Sequence, residues 1–361
     1  MGNTYFFTGF PGFIAKQLIN QILEDGYDVN HLYLLVLPSM MDHARKEIDS
    51  LTISPDKATL LPGDITKPHL DLLPEQLHIL RNTVTHVYHL AAIYDLAVPK
   101  DIAYRVNVHG THCVNNFVLM LSRLERYTYF STSYVAGTRE GDILETELDM
   151  GQSFKNHYEH TKFQAEVAVQ SIIEKVPVTI IRPGIVVGHS QTGETIKFDG
   201  PYFILNFFEA LRNVPFLPYL GNGDAEGNFV PVDFIVRATS YLSHHDIGIG
   251  KTYQLTDPHP YTAKQVYRML MKEYLKREPK GTVPLLFAKG LLSFSKARRL
   301  LRTERESLAY FTCKASYKCD QALLDLQHSG ITCPDFKDVI PAIVTYYQQH
   351  KNDKSKHIPI S

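Results

Sequence analysis

Cysteine is scarce. The 361 residues hold four, Cys113, Cys313, Cys319 and Cys333, and none forms a Cys-x-x-Cys pair. That excludes a disulfide framework and a zinc ribbon, and predicts free thiols in a reducing compartment. Three of the four cluster toward the C-terminus, so a disulfide there is the alternative. Charge of one sign is also missing. With 37 basic and 38 acidic residues the formal net charge is −1, which excludes a chain built to coat nucleic acid; no nucleic-acid partner is expected. No uninterrupted apolar run reaches ~18 residues, so no membrane-spanning helix is expected. No basic leader precedes the first strand, which predicts no signal peptide and a cytoplasmic location. Met1-Gly2 does not open a myristoylation signal, because Phe6 stands where that signal wants Ser or Thr. No metal-ligand spacing is present and no metal is expected.

What is present is an ordinary globular composition, 44% hydrophobic and 21% charged. The length suits one large domain or two modest ones. Over the first 190 residues short apolar runs alternate with amphipathic patterns. Strands are predicted at Asn3-Thr8, His31-Leu37, Ala58-Pro62, Val84-Ala91, Arg126-Ser131 and Val178-Arg182. Helices are predicted at Gly12-Asp25, Ser39-Leu51, Ile102-Leu121 and Tyr158-Lys175. This rhythm predicts an α/β fold: a Rossmann-type, doubly wound parallel sheet covered by helices on both faces.

From about residue 190 glycine and proline become denser. Helices are predicted at Val232-Ser243, Ala263-Leu275 and Pro334-Gln349, with a strand at Lys251-Leu255. The expected division is therefore a dinucleotide-binding domain over 1–190, with sheet elements returning at about 228–256. A smaller, irregular α/β substrate-binding part takes up most of 191–361.

The first strand runs into Thr8-Gly9-Phe10-Pro11-Gly12-Phe13-Ile14-Ala15, a Gly-x-x-Gly-x-x-Ala turn between strand and helix. Gly9 permits a tight turn, Gly12 lets backbone approach a pyrophosphate, and Ala15 lets the helix pack closely on the strand. The helix N-terminus offers free N–H groups and a positive dipole end to phosphates. A purely structural strand–helix turn is the plainer alternative. After the second strand, Leu37-Pro38-Ser39 carries no acid for the adenosine ribose hydroxyls. Lys16, Arg45 and Lys46 are close enough in sequence to meet a 2′-phosphate, which favours NADP(H) over NAD(H). The same three side chains also suit a solvated helix face. Asp64, beside Ile65, can accept from an adenine amino group. His89-Leu90-Ala91-Ala92 ends a strand with small residues, letting backbone pass under a cofactor. Either segment also suits plain sheet-end packing.

Tyr158 and Lys162 lie four apart on one predicted helix and share a face. A nearby ammonium would lower the phenol toward working pH. With 21 tyrosines, roughly one Tyr-x-x-x-Lys arises by chance. The pair gains meaning from the hydroxyl cluster Ser131-Thr132-Ser133 at a strand end, where a hydroxyl can hold a substrate oxygen beside the phenol. Asn107 on the preceding helix would anchor a backbone kink, or a water near Lys162.

Taken in order, these motifs resemble an extended short-chain dehydrogenase/reductase over about the first 240 residues. The matching segments are Thr8-Gly9-x-x-Gly12-x-x-Ala15, Asp64-Ile65, His89-Leu90-Ala91-Ala92, Asn107-Val108-x-Gly110-Thr111, Ser131-Thr132-Ser133, Tyr158-x-x-x-Lys162 and Arg182-Pro183-Gly184. The resemblance implies that Thr132, Tyr158 and Lys162 are the catalytic triad, that Lys162 also binds the nicotinamide ribose, and that Pro183, Gly184, Ile185 and Val186 line the nicotinamide. It also implies dimerisation through the two helices bearing Asn107 and Tyr158.

Further details resemble the thioester reductase and fatty acyl-CoA reductase branch, the male sterility-like NAD-binding group. These are Gly12-Phe13-Ile14, the run from Tyr88 through Leu96, Arg182 through Gly188 followed by Ser190, Thr192 and Gly193, and Asn228 through Asp233. The chain departs from that branch at Ala15, where glycine is more usual, and at Leu37, where an arginine often meets the 2′-phosphate.

Between 283 and 305, Phe287, Leu291, Phe294, Ala297 and Leu301 form an apolar helical stripe. Lys289, Lys296, Arg298, Arg299, Arg302 and Arg305 surround it, with Glu304 the one acid between 289 and 305. Such a helix could bury one face on the core, cover an acyl tunnel, lie on anionic lipid, or meet a carrier protein or CoA phosphates.

The expected function is an NAD(P)H-dependent oxidoreductase that reduces an acyl thioester, CoA-bound or carrier-bound, or a related lipophilic carbonyl. With neither a carrier nor an adenylation segment in these residues, a thioester would arrive as CoA or on a separate carrier. A nucleotide-sugar epimerase or dehydratase, or a hydroxysteroid-type dehydrogenase, is the alternative on the same fold. A non-catalytic dinucleotide sensor is a third reading, and the intact Tyr158, Lys162 and Thr132 argue against it.

Overall fold

The computed structural model describes residues 2–95, 98–291, 293, 294, 296, 298, 301 and 314–358. Seven strands make the central sheet: β1 (Asn3–Thr8), β2 (Val29–Val36), β3 (Ala58–Pro62), β4 (His86–His89), β5 (Arg126–Phe130), β6 (Val178–Pro183) and β7 (Lys251–Leu255). Their spatial order is β7-β6-β5-β4-β1-β2-β3 and every pairing is parallel. The order reverses between β1 and β4. In such sheets the ligand crevice opens there, beyond the carboxyl ends of the strands.

The strands are nearly continuous apolar runs because both faces are covered. Successive side chains alternate, so Phe7 joins the core on one face and Phe6 the core on the other. On the Phe7 face lie Leu18, Ile19 and Ile22 of the helix Phe13–Glu24, with Ile235, Ala238 and Leu242 of the helix Val232–His244. On the Phe6 face lie Val114 and Phe117 of the helix Gly110–Leu119, with Ala165 and Val169 of the helix His157–Gln170. Each fully buried side chain of this kind contributes about 1.5–3 kcal/mol.

The chain returns to the sheet late. β7 pairs with β6, and Phe229–Pro231 pairs in parallel with Ile185–Val187. A third core joins Phe198, Tyr202, Leu205 and Phe208 to Val266 and Leu270, and to Phe336, Ile343 and Tyr347 of the helix Phe336–His350. The helix Tyr202–Ala210 in this lobe is not predicted from sequence, because YFILNFFEA is a short, mostly apolar run that suits a buried strand as well as a helix. The predicted helix 102–121 contains a π-helical segment, Tyr104–His109, that carries Asn107.

Cys113, Cys319 and Cys333 are free thiols, and Cys313 lies outside the described residues. Among the described residues no helix is long and apolar enough to cross a membrane, and no group of three or more His, Cys, Asp or Glu is placed to hold a metal.

Candidate active site

β1 ends at Thr8, and Gly9 turns the chain with φ +93°. A Cβ on Gly9 would stand 2.8 Å from the Ala91 nitrogen and 2.9 Å from the Leu90 carbonyl carbon. The Gly12 N–H donates to the Gly9 oxygen at 2.8 Å, and a Cβ on Gly12 would lie 2.6 Å from that oxygen. Both positions therefore exclude a side chain. The helix that follows starts at Phe13, with no side-chain cap and no acid in its first turn. Its N–H end is open and electropositive. This bare cradle at the sheet's switch point fits the pyrophosphate of a nicotinamide dinucleotide. Gly12→Val is expected to weaken NADPH binding at least about tenfold in a fluorescence titration, with the far-ultraviolet circular dichroism unchanged.

A cavity of about 630 Å³ opens from this cradle. It brings together Gly9, Gly12, Phe13, Ile14, Leu90, Ala91, Ala92, Thr132, Tyr158, Lys162 and Pro183 through Val186. Its far end is walled by Phe203, Ile204, Phe207, Leu220, Phe229 and Tyr267. Sequence reasoning named none of these apolar residues as site residues except Phe229, as part of a motif. Asp199 and Lys197 also line the cavity, the Lys197 ammonium standing 4.7 Å over the Tyr94 ring. Burial pushes the Asp199 carboxyl up to about 6.

Other sequence candidates fall outside the cavity wall. Thr8 is wholly buried, its hydroxyl 2.8 Å from His89 Nδ1 and accepting from the Ala91 N–H at 3.1 Å. It holds the ends of β1 and β4 together. Phe10 is buried in the core beneath the first helix. Pro11 is partly exposed and follows a cis peptide bond. The Asp64 carboxylate accepts from the Thr66 N–H at 2.8 Å, a local turn, and Ile65 is buried under Gly110. These positions shape the crevice from behind.

The basic candidates for a 2′-phosphate are engaged elsewhere. Lys16 pairs with Glu47 at 2.5 Å and Arg45 with Asp42 at 3.0 Å. Lys46 is exposed. None of the three lines the cavity.

Tyr158 sits in the first turn of the helix His157–Gln170, which is capped by Asn156 accepting from the Glu159 N–H at 2.9 Å. Burial pushes the Tyr158 phenol up to about 12, and the neighbouring Thr132 hydroxyl opposes the shift. Lys162 lies one turn further along the same helix. Its ammonium reaches back to β5, donating to the Phe130 carbonyl at 2.6 Å and the Tyr129 hydroxyl at 2.9 Å. Tyr158 is thus a protonated phenol at neutral pH, the form of a proton donor. Thr132 also accepts from the Tyr134 N–H at 3.3 Å. Its neighbours are tied elsewhere: Ser131 donates to Glu166, and Ser133 donates to the Arg182 carbonyl at 3.1 Å.

Asn107 does not reach Lys162. Its side-chain amide accepts from the Ile93 N–H at 2.9 Å and donates to the Ile93 carbonyl at 3.0 Å and to Thr161 at 3.1 Å. Of the two roles expected for it, the geometry matches the backbone anchor. Behind the triad, Glu166 accepts a bidentate fork from Arg182, with Nη2 at 2.6 Å and Nε at 2.9 Å. That buried pair was not singled out from sequence. The i, i+4 spacing of Lys162 and Glu166 was the available signal.

In the 283–305 segment, Leu285–Leu291 is helical, and Phe287 and Phe294 are exposed. Leu301 is buried against Phe207, Leu211 and Leu285 and lines the cavity. Ala297, Arg299, Arg302, Glu304 and Arg305, and the side chains of Lys289 and Leu291, lie outside the described residues. Leu96, at the end of the Tyr88 motif, does too.

A parallel seven-stranded sheet with this glycine cradle and Tyr–Lys helix is a Rossmann-type dinucleotide-binding fold of the extended dehydrogenase/reductase kind. Residues 7–239 match the NAD-binding family described as male sterility protein, and the chain belongs to that family. It is 27% identical over 270 residues to the non-canonical nonribosomal peptide synthetase cpsA of Aspergillus campestris, covering 69% of this chain and 25% of that one. It is 26% identical over 271 residues to the fatty acyl-CoA reductase wat of Drosophila melanogaster, covering 64% and 52%. The chain thus matches about a quarter of the former and about half of the latter. Among solved structures it resembles the terminal R domain of the myxalamid PKS-NRPS pathway, with TM-score 0.80, 24% identity and 98% and 93% coverage. It resembles UDP-glucuronic acid 4-epimerase of Bacillus cereus in complex with NAD less closely, with TM-score 0.66, 20% identity and 97% and 99% coverage.

Proposed function

We propose that this protein is an NADP(H)-dependent reductase of acyl thioesters or related lipophilic carbonyls. The observation that carries the reading is a single cavity lined by the glycine cradle, by Thr132, Tyr158 and Lys162, and by apolar side chains from the 191–361 part. Names among the relatives, fatty acyl-CoA reductase and aldehyde reductase, support the same reading. Residues 1–190, with the return at 228–256, would hold the dinucleotide, and 191–361 would supply most of the substrate wall.

When bound, the reduced nicotinamide supplies hydride. The Gly9–Gly12 turn and the helix N-terminus would hold its pyrophosphate, Pro183 through Val186 and Lys162 its nicotinamide end. Thr132 orients the substrate carbonyl oxygen, and the Tyr158 phenol gives that oxygen its proton. The phenol's high pKa keeps the proton available at neutral pH. Collapse of the resulting hemithioacetal releases thiol and aldehyde, and a second reduction gives alcohol. The free thiols Cys113, Cys319 and Cys333 do not line the cavity, so they offer no nucleophile for an acyl-enzyme route.

NADP(H) is favoured because β2 runs into Leu37-Pro38-Ser39, with no carboxylate for the ribose diol. The test is reduced-nicotinamide absorbance with a long-chain acyl-CoA, and with the same acyl group on a carrier protein. Turnover is expected, with kcat/KM at least about tenfold higher for NADPH than for NADH. No turnover with either acyl donor would overturn the reductase reading; equal efficiency would overturn the cofactor preference.

A further inference from the structure

Tyr129 takes no part in the chemistry above, yet its contacts are fully committed. It lies in β5 and is 1% exposed. Its hydroxyl is 2.9 Å from Lys162 Nζ, and its ring centroid is 4.5 Å from the same nitrogen. An ammonium only donates, so the Tyr129 oxygen accepts and the phenol proton needs another partner. The Thr111 hydroxyl lies close by and opposes the upward push of burial on the phenol. Thr111 spends its own proton on the Asn107 carbonyl at 2.6 Å, because a carbonyl only accepts. Its oxygen therefore accepts from His89 Nε2 at 3.1 Å. His89 then carries its proton on Nε2, and its Nδ1 accepts from the Thr8 hydroxyl at 2.8 Å. From Thr8 through His89 and Thr111 to the Asn107 carbonyl, each donor has one assignment.

We propose that Tyr129 is a positioning residue for Lys162, holding its ammonium on the phenol oxygen and against the ring and so fixing its place and its charge. The catalytic consequence rests on the reductase reading; the geometry does not. Tyr158 and Glu166 stand one turn either side of Lys162 on its own helix, Tyr129 and the Phe130 carbonyl face it from β5, and His89 from β4. Arg182 of β6 acts on it through Glu166. Burial holds His89 neutral, down at about 3, so it adds no charge. Burial also pulls Lys162 down to about 7, and Glu166 opposes this. Glu166 is shared with Arg182 and Ser131. The Tyr129 oxygen is the side-chain acceptor in direct contact with the ammonium.

The sign follows. Removing an acceptor from an ammonium lowers its pKa, and a hydrogen bond to a charged group corresponds to about one pH unit or more. The test is Tyr129→Phe, which keeps the ring, with Tyr129→Met as the second variant. The cofactor-free protein with 13Cε-labelled lysine is titrated by NMR, and Lys162 is assigned by its loss in Lys162→Met. Lys162 is expected to titrate about one unit lower in Tyr129→Phe. The alkaline limb of the kcat/KM profile is expected to shift down equally, giving about tenfold less activity one unit above the wild-type limb and little change at low pH. An unmoved Lys162 resonance, or a uniform loss of activity at all pH, would overturn the proposal. Should Tyr129→Phe not fold, the same two readouts on Tyr129→Met decide it. If wild-type protein reduces no thioester, the NMR titration still tests Tyr129 by itself.

Discussion

Tyr158→Phe is expected to lower kcat for acyl-thioester reduction about a thousandfold while changing the NADPH dissociation constant less than about threefold. The phenol lines the cavity together with Thr132. Phenylalanine keeps the ring and its packing, so only the proton is lost. General acids of this type contribute roughly 10²–10⁴. Single-turnover kinetics and fluorescence titration separate the two quantities. A fall in binding equal to the fall in rate would place Tyr158 in cofactor binding and remove it as proton donor.

Arg182→Met carries the largest expected effect on stability. Arg182 is 1% exposed and forks onto Glu166, which is 0% exposed. Arg182 Nη1 also donates to the Glu145 carbonyl at 3.3 Å. Removing one partner leaves the other charge buried and unpaired, at a cost of about 3–5 kcal/mol. In a chain of this size that lowers Tm on the order of 10 °C. Glu166 also accepts from Ser131, beside Thr132, so activity is expected to fall with stability. The pairing is checked by the double variant Arg182→Met/Glu166→Leu, which removes both charges. It is expected to recover most of the lost Tm; a double variant as unstable as the sum of the singles would mean that the two residues act independently.

The fold was legible because its signals are local. Apolar strands alternate with amphipathic helices, and the seven strands of the sheet lie within a few residues of their predicted positions. Gly9 and Gly12 were legible because a turn without room for Cβ admits little else. Tyr158, Lys162 and Thr132 were legible through order and spacing, and the fold brings them to one cavity.

The rest depends on partners distant in sequence. Thr8 belongs to the glycine motif, yet its hydroxyl is spent on His89, 81 residues away. Lys16 is taken by Glu47 across a strand and a turn. Tyr129 reads as one more aromatic in a strand buried on both faces, and nothing in its neighbourhood announces a contact with Lys162, 33 residues on. The apolar wall escaped for a related reason. Phe203, Ile204 and Phe207 belong to a short, mostly apolar run, so sequence alone does not tell cavity lining from core.

The central claim is hydride delivery to an acyl thioester beside Tyr158. Its most direct test is incubation with NADPH deuterated at the reactive face of C4 and a long-chain acyl-CoA, followed by mass spectrometry of the released product. The account predicts aldehyde or alcohol carrying deuterium at C1, one atom per reduction, with equal NADPH consumed and free CoA released. No deuterated product from either deuterated C4 epimer, together with dinucleotide held tightly in the purified protein and no net consumption, would contradict it and point to the epimerase-type alternative.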